Sequence, residues 1–232
     1  MTESKQEKSG GNPRFPALYP ILDAELALRG LGPDPQLRRE SLRRIVQELA
    51  DIGVEILQYR NKCDRDEVVA ADAHEMREAA THAGRTRIRL ILNDRAALVP
   101  GVGWAGVHVG QEDLPPRQAR LLVGEGALVG LSTHNEQQLN AADKEPVDYI
   151  AIGPVFATAS KRDTSPVIGL DGLRRARVLT QKPLVAIGGI TLETAASVYE
   201  AGADSLAVIA AIFAAPGRSP AQSAKDFLEI FS

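Results

Sequence analysis

The chain has 232 residues, of which 44% are hydrophobic and 25% charged, with a formal net charge of −3. This composition belongs to a globular chain and excludes a disordered one. A slightly acidic sum also lacks the basic face that nucleic-acid binding requires. One cysteine, Cys63, rules out an intramolecular disulfide framework or a cysteine-based metal cluster. No apolar tract reaches the roughly 18 to 20 residues of a membrane-spanning helix.

Residues 1–16 are polar, rich in Ser, Lys, Glu and Gly, and lack the apolar centre of a secretory signal. They read as a disordered extension, which together with the scarcity of cysteine points to the cytoplasm. From residue 17 onward, short apolar runs alternate with longer amphipathic ones. Strands are expected at 17–22, 54–59, 89–92, 106–109, 128–131, 149–152, 184–187 and 205–209. Between residues 37 and 51, Leu42, Ile45, Val46 and Leu49 fall on one helical face. Similar patterns run over 191–201 and 221–231, with Thr191 placed to cap and Gly202 where a helix-ending glycine belongs. The helix of the third unit must fit between Asn93 and Ala105, past Pro100, Gly101 and Gly103, so it should be short. Strands alternating with helices imply a parallel sheet with right-handed crossovers. Eight such units over 17–232 imply a single-domain α/β fold, a closed (β/α)8 TIM barrel.

In such a barrel the chemistry sits at the C-terminal ends of the strands. After the second strand comes Gln58-Tyr59-Arg60-Asn61-Lys62, and alternation puts Gln58, Arg60 and Lys62 on one face. Two cations so placed suit a polyanion such as a diphosphate, the alternative being solvated strand-end charges. Asn93-Asp94 follows the third strand, and Gly110-Gln111-Glu112-Asp113 the fourth. Carboxylates on neighbouring strand ends can share magnesium with substrate phosphates, although each aspartate also stands where it can cap a helix.

Ser132-Thr133-His134-Asn135 offers a hydroxyl for a phosphate oxygen or for a cap. His134 lacks a companion at metal-ligand spacing. His108, between Val107 and Val109, reads as a hydrogen-bonded histidine pointing into the barrel. The segment 153–169, with Thr158, Ser160 and Lys161, is long for a βα loop and reads as a lid or binding loop. Gly188-Gly189-Ile190-Thr191 and Ile209-Ala210-Ala211 end the last two strands, where backbone N–H groups hold a phosphate in this barrel class. Two anion sites therefore share one mouth.

In this order and spacing, these segments resemble the thiamine-phosphate synthase family over 17–231. The signature comprises Gln58-Tyr59-Arg60-Asn61-Lys62, Asn93-Asp94-Arg95, Gly106-Val107-His108-Val109-Gly110-Gln111-Glu112-Asp113 and Ser132-Thr133-His134-Asn135. Gly153-Pro154-Val155-Phe156-Ala157-Thr158-Ala159-Ser160-Lys161 and Ala186-Ile187-Gly188-Gly189-Ile190-Thr191 complete it. The resemblance implies that hydroxymethylpyrimidine diphosphate and hydroxyethylthiazole phosphate are joined to thiamine phosphate with release of pyrophosphate. It implies Asp94 and Asp113 as Mg2+ ligands, directly or through water. Gln58, Arg60, Lys62, Asn93, Ser132 and Lys161 would hold the pyrimidine diphosphate, with Arg60, Lys62, Lys161 and Ser132 serving the chemistry. Thr158, Ser160, Gly189 and the backbone at Ile209 and Ala210 would hold the thiazole phosphate.

Tyr59 and Asn61 stand where the family often has Leu and Glu, Ser160 where it usually has Thr, and Ala210 where it usually has Ser. The last change removes one hydroxyl from the thiazole-phosphate site. The partners implied are small molecules, neither nucleic acid nor membrane, and self-association stays open. Rival readings are a thiazole-tautomerase-like barrel using His134 as acid or base, a non-catalytic phosphate-binding barrel, and a sugar-phosphate isomerase.

Overall fold

The structure is a computed structural model that describes residues 15–32, 34–62, 65–82, 88–158 and 165–231. Its first half runs β1 (Leu18–Asp23), α1 (Ala24–Ala27), α2 (Pro35–Asp51), β2 (Ile56–Arg60), α3 (Asp66–His82), β3 (Arg89–Asn93), α4 (Val99–Val102) and β4 (Gly106–Val109). The second half runs α5 (Pro116–Val123), β5 (Leu128–Thr133), α6 (Glu136–Ala142), β6 (Tyr149–Ile152), α7 (Gly169–Val178), β7 (Leu184–Ile187), α8 (Leu192–Glu200), β8 (Ser205–Val208), α9 (Ala210–Phe213) and α10 (Pro220–Glu229). The strands pair in chain order, all parallel, and β8 returns to β1 with Leu18 opposite Leu206. This is the closed (β/α)8 barrel that the alternation predicts.

Local chemistry sets the helix starts. Asp34 caps α2 by accepting from the Gln36 N–H at 2.9 Å, and Pro35 occupies the first helical position, so α2 begins before its first apolar residue. Ser219 and Gln222 form a reciprocal capping box at α10. Thr191 caps α8 as expected, its backbone N–H donating to Thr194 Oγ1 at 3.0 Å. The helix of the third unit is short: one 3₁₀ turn, Ala96–Leu98, leads into the four-residue α4.

The strands differ from the apolar runs mainly at their C-terminal ends. β1, β2, β3 and β5 continue into Asp23, Arg60, Asn93 and Ser132–Thr133. Apolar runs report burial, whereas the backbone ladder pairs through polar residues equally well. The candidates Arg60, Asn93 and Ser132 therefore stand on the last rungs of their strands, whereas Lys62, Asp94 and Asp113 stand just beyond them.

Alternating side chains feed two apolar layers. Tyr19, Ile21, Ile56, Ile91, Tyr149 and Val185 fill the barrel. Leu57, Tyr59, Leu90 and Leu92 face outward and pack with Leu42, Ile45, Val46 and Leu49 of α2 in the sheet–helix layer. Each fully buried aliphatic side chain contributes about 1.5–3 kcal/mol. Phe15, which composition places in the N-terminal extension, packs on Tyr149 with ring centroids 4.9 Å apart. The rest of that extension, residues 1–14, and Cys63 lie outside the described residues. Among the described residues no helix is long and apolar enough to cross a membrane.

Candidate active site

At the end of β2, Gln58 and Arg60 turn toward the barrel and Tyr59 toward the helices. Gln58 is buried, and its Nε2 donates to the Tyr19 hydroxyl at 3.1 Å. Arg60 is ion-paired with Asp23, its partner in the β1–β2 register, and Asp23 also accepts from the Leu26 N–H at 3.2 Å. Asp23 carries one signal in the sequence, a lone acid closing an apolar run, and only its place beside Arg60 reveals it.

Tyr59 and Asn61, the two departures flanking the cations, belong to a brace behind the strand. The Tyr59 hydroxyl donates to Asp72 at 2.5 Å, and Asn61 Nδ2 donates to Tyr59 at 3.0 Å. Asp72 also takes the Arg38 guanidinium, with Nε at 2.9 Å and Nη2 at 2.6 Å. Arg95 donates to the Asn61 carbonyl and to Asp66. Burial and the Asp72 charge push the Tyr59 phenol well above its ordinary pKa.

Lys62 Nζ lies 3.1 Å from Asp94 Oδ2. Asp94 adopts φ 63°, a left-handed conformation that costs an L-residue about 1–2 kcal/mol. The capping alternative fails for it, since Arg95 occupies the cap position of the following turn. Its carboxyl instead shares a hydrogen bond with Asp113, whose Oδ2 also accepts from the Gly110 N–H at 2.8 Å. Burial and then Asp113 push the Asp94 carboxyl above its ordinary pKa. For Asp113, burial acts upward too, but the hydrogen bonds from Asp94 and Gly110 and the Lys62 charge outweigh it and hold the group low. Beside them Asn93 is buried, its Nδ2 without a hydrogen-bond acceptor.

Across the mouth, Ser132 Oγ lies 2.8 Å from His108 Nε2. It is not a helix cap, because Asn135 caps α6 by accepting from the Gln138 N–H at 2.9 Å. His108 points into the barrel and is hydrogen-bonded, as expected. His134 Nδ1 meets the Gly153 carbonyl at 2.9 Å and ties the end of β5 to the loop after β6.

On the opposite side, the Val155 and Phe156 N–H groups donate to Ile187 and Gly188 carbonyls at 2.9 and 3.0 Å, so the long loop starts by continuing β6 alongside the end of β7. Gly189 has φ 65°, and a Cβ there would stand 2.5 Å from the Ala157 carbonyl oxygen. A cleft of about 680 Å³ opens here, lined by Thr158, Gly188, Gly189, Thr191, Ile209 and Ala210 among others. Ser160 and Lys161 lie outside the described residues. The remaining candidates fall into two groups. Gln58, Arg60, Lys62, Asn93, Asp94, Asp113 and Ser132 stand on the rim from β2 to β5, and Thr158, Gly189, Ile209 and Ala210 line the cleft. Among the described residues no three His, Cys, Asp or Glu side chains converge on one metal position.

The profile of a family described as thiamine monophosphate synthase matches residues 33–212. The chain belongs to that family. It is 49% identical over 217 residues to the thiamine-phosphate synthase of Koribacter versatilis, covering 94% of this chain and 96% of the relative. It is 39% identical to that of Chloroflexus aurantiacus, with 85% of each chain covered. Among solved structures, the thiamine phosphate pyrophosphorylase of Pyrococcus furiosus superposes with a TM-score of 0.75 at 27% identity, over 92% of this chain and 94% of that one. A mutant tryptophan synthase α-subunit from the same organism, at 16% identity and a TM-score of 0.61 over 92% of this chain and 96% of that one, shares the barrel alone. Membership makes the chain a transferase of thiamine biosynthesis that acts on small molecules.

Proposed function

We propose that the chain joins hydroxymethylpyrimidine diphosphate to hydroxyethylthiazole phosphate, forming thiamine phosphate and pyrophosphate with magnesium as the cofactor. The observation that carries this reading is the Lys62–Asp94–Asp113 cluster beside the unsatisfied amide of Asn93, at the rim that also bears Arg60. Two apposed carboxyls beside a lysine, next to a buried donor lacking an acceptor, suit a divalent cation and the oxygens of a polyanion.

Asp94 and Asp113 would hold the ion, with substrate and water oxygens supplying the remaining ligands. When bound, the ion neutralises charge on the departing diphosphate. Arg60 and Lys62 share that task, joined by Lys161, while Ser132 and Asn93 donate hydrogen bonds to the diphosphate and Gln58 holds the pyrimidine. Unit charges about 4 Å apart interact by roughly 4 kcal/mol at an effective dielectric of 20, so removing one cation would cost about two powers of ten in rate or more.

The reaction needs no strong base, because the aminopyrimidine stabilises the methylene cation left behind. Thr158, Ser160, Gly189 and the backbone at Ile209 and Ala210 would hold the thiazole phosphate so that the ring nitrogen faces that carbon. The loop bearing Thr158 would exclude water. A cytoplasmic setting goes with this reading. Purified protein given both substrates should release thiamine phosphate and pyrophosphate with magnesium and neither product without it. Absence of both products with the ion present would refute the proposal.

A further inference from the structure

Beneath the rim, five side chains from five strands form one hydrogen-bonded line: Gln58 (β2), Tyr19 (β1), Tyr149 (β6), His108 (β4) and Ser132 (β5). Successive contacts are Gln58 Nε2 to Tyr19 Oη at 3.1 Å, Tyr19 Oη to Tyr149 Oη at 2.8 Å, Tyr149 Oη to His108 Nδ1 at 3.0 Å and His108 Nε2 to Ser132 Oγ at 2.8 Å. None of the five is more than 8% exposed. The Tyr19–Tyr149 contact crosses the barrel and joins residues 130 apart in the chain. The sequence makes room for it at Gly130, where a Cβ would lie 2.1 Å from Tyr149 Cζ.

We propose that this line is a relay with one polarity, which presents Ser132 to the diphosphate as a hydrogen-bond donor. The amide nitrogen of Gln58 only donates, so the Tyr19 oxygen accepts from it, and in this polarity the one Tyr19 proton goes to Tyr149, its remaining partner in the line. Tyr149 then donates to His108 Nδ1, which must be unprotonated. The neutral ring carries its proton on Nε2 and gives it to Ser132 Oγ. The proton of Ser132 is not spent within the relay and goes to an acceptor in the mouth. Burial keeps both phenols protonated, well above their ordinary pKa values. With the opposite polarity, Ser132 would donate to the ring and turn lone pairs toward a polyanion. Tyr19, Tyr149 and His108 are thus positioning residues, and His108 sets what Ser132 offers. The relay's purpose rests on the reading of Ser132 as a diphosphate ligand, whereas its polarity does not.

The test has two arms. Side-chain ¹⁵N NMR of the full chain, with His108 assigned by comparison with His108→Gln, should show a pyrrole-type Nε2 and a pyridine-type Nδ1. Tyr149→Phe, which keeps the ring and loses the hydroxyl, should abolish that strict preference. Kinetically, Tyr149→Phe should lower kcat/KM for the pyrimidine diphosphate about tenfold and leave KM for the thiazole phosphate within twofold. Adding it to Ser132→Ala should cost nothing further, a non-additivity that general loosening of the core would not produce. Tyr19→Phe serves as a second interruption if Tyr149→Phe folds poorly. A proton on Nδ1 of His108 in the wild type, alone or with one on Nε2, would overturn the proposal, as would losses that multiply in the double variant. A wild-type protein that makes no thiamine phosphate refutes the proposed function instead, and the tautomer measurement still judges the relay.

Discussion

Replacing Asp72 by alanine tests whether the brace behind β2 holds the cation-bearing strand end. The Asp72 carboxylate is 4% exposed and accepts from Arg38 Nε at 2.9 Å, Arg38 Nη2 at 2.6 Å and the Tyr59 hydroxyl at 2.5 Å. Removing one member of a buried pair costs about 3–5 kcal/mol, because the partner's charge stays buried without compensation. The Arg38 side chain is 26% exposed and regains some hydration, which places the loss at the lower end, about 3 kcal/mol. At about 2–4 °C per kcal/mol for a chain of this size, the thermal midpoint should fall by roughly 6–12 °C. Circular dichroism melting measures it. Arg38→Met combined with Asp72→Ala removes both charges and should be more stable than the sum of the single losses implies. A single variant within about 1 kcal/mol of wild type, or a double variant whose losses add in full, would show that Asp72 and Arg38 do not stabilise each other.

Asp94→Ala and Asp113→Ala should each abolish magnesium-dependent turnover while far-UV circular dichroism stays unchanged; near-normal rates in both would remove the ion from the mechanism. Ala210→Ser restores a hydroxyl beside the phosphate cleft and should lower KM for thiazole phosphate, and an unchanged or raised KM would show that the hydroxyl has no part there. Gly130→Ala places a methyl 2.1 Å from Tyr149 Cζ. Overpacking of this kind costs about 1–3 kcal/mol, so the midpoint should drop by roughly 2–12 °C, and an unshifted midpoint would mean that the ring moves aside freely.

Much of the site was legible because barrel chemistry gathers at strand ends, and the apolar runs locate those ends to within two residues. Gln58, Arg60 and Lys62 could be grouped from alternation alone. Asp94 and Ser132 could not be resolved from sequence, since a carboxylate or hydroxyl after a strand serves a helix cap and an anion or metal site with the same atoms. The structure takes the cap from both: Arg95 holds the cap position after β3 without a side-chain cap bond, and Asn135 caps α6. Asp23, Asp72 and Tyr19 were invisible as participants. Their partners Arg60, Tyr59 and Tyr149 lie 37, 13 and 130 residues away.

Periodicity and capping act within a turn or two of chain, so the local pattern set the eight strand–helix units, their order, the short helix of the third unit and the polar residues after the strands, but not the four-residue helices α1 and α9. Closure of the barrel brought β1 against β8 and set Tyr19 against Tyr149 across its interior. That closure also sets which carboxyls lie together, which cation each meets and which buried hydroxyls touch. Such pairings depend on distances through space, which no local pattern along the chain encodes.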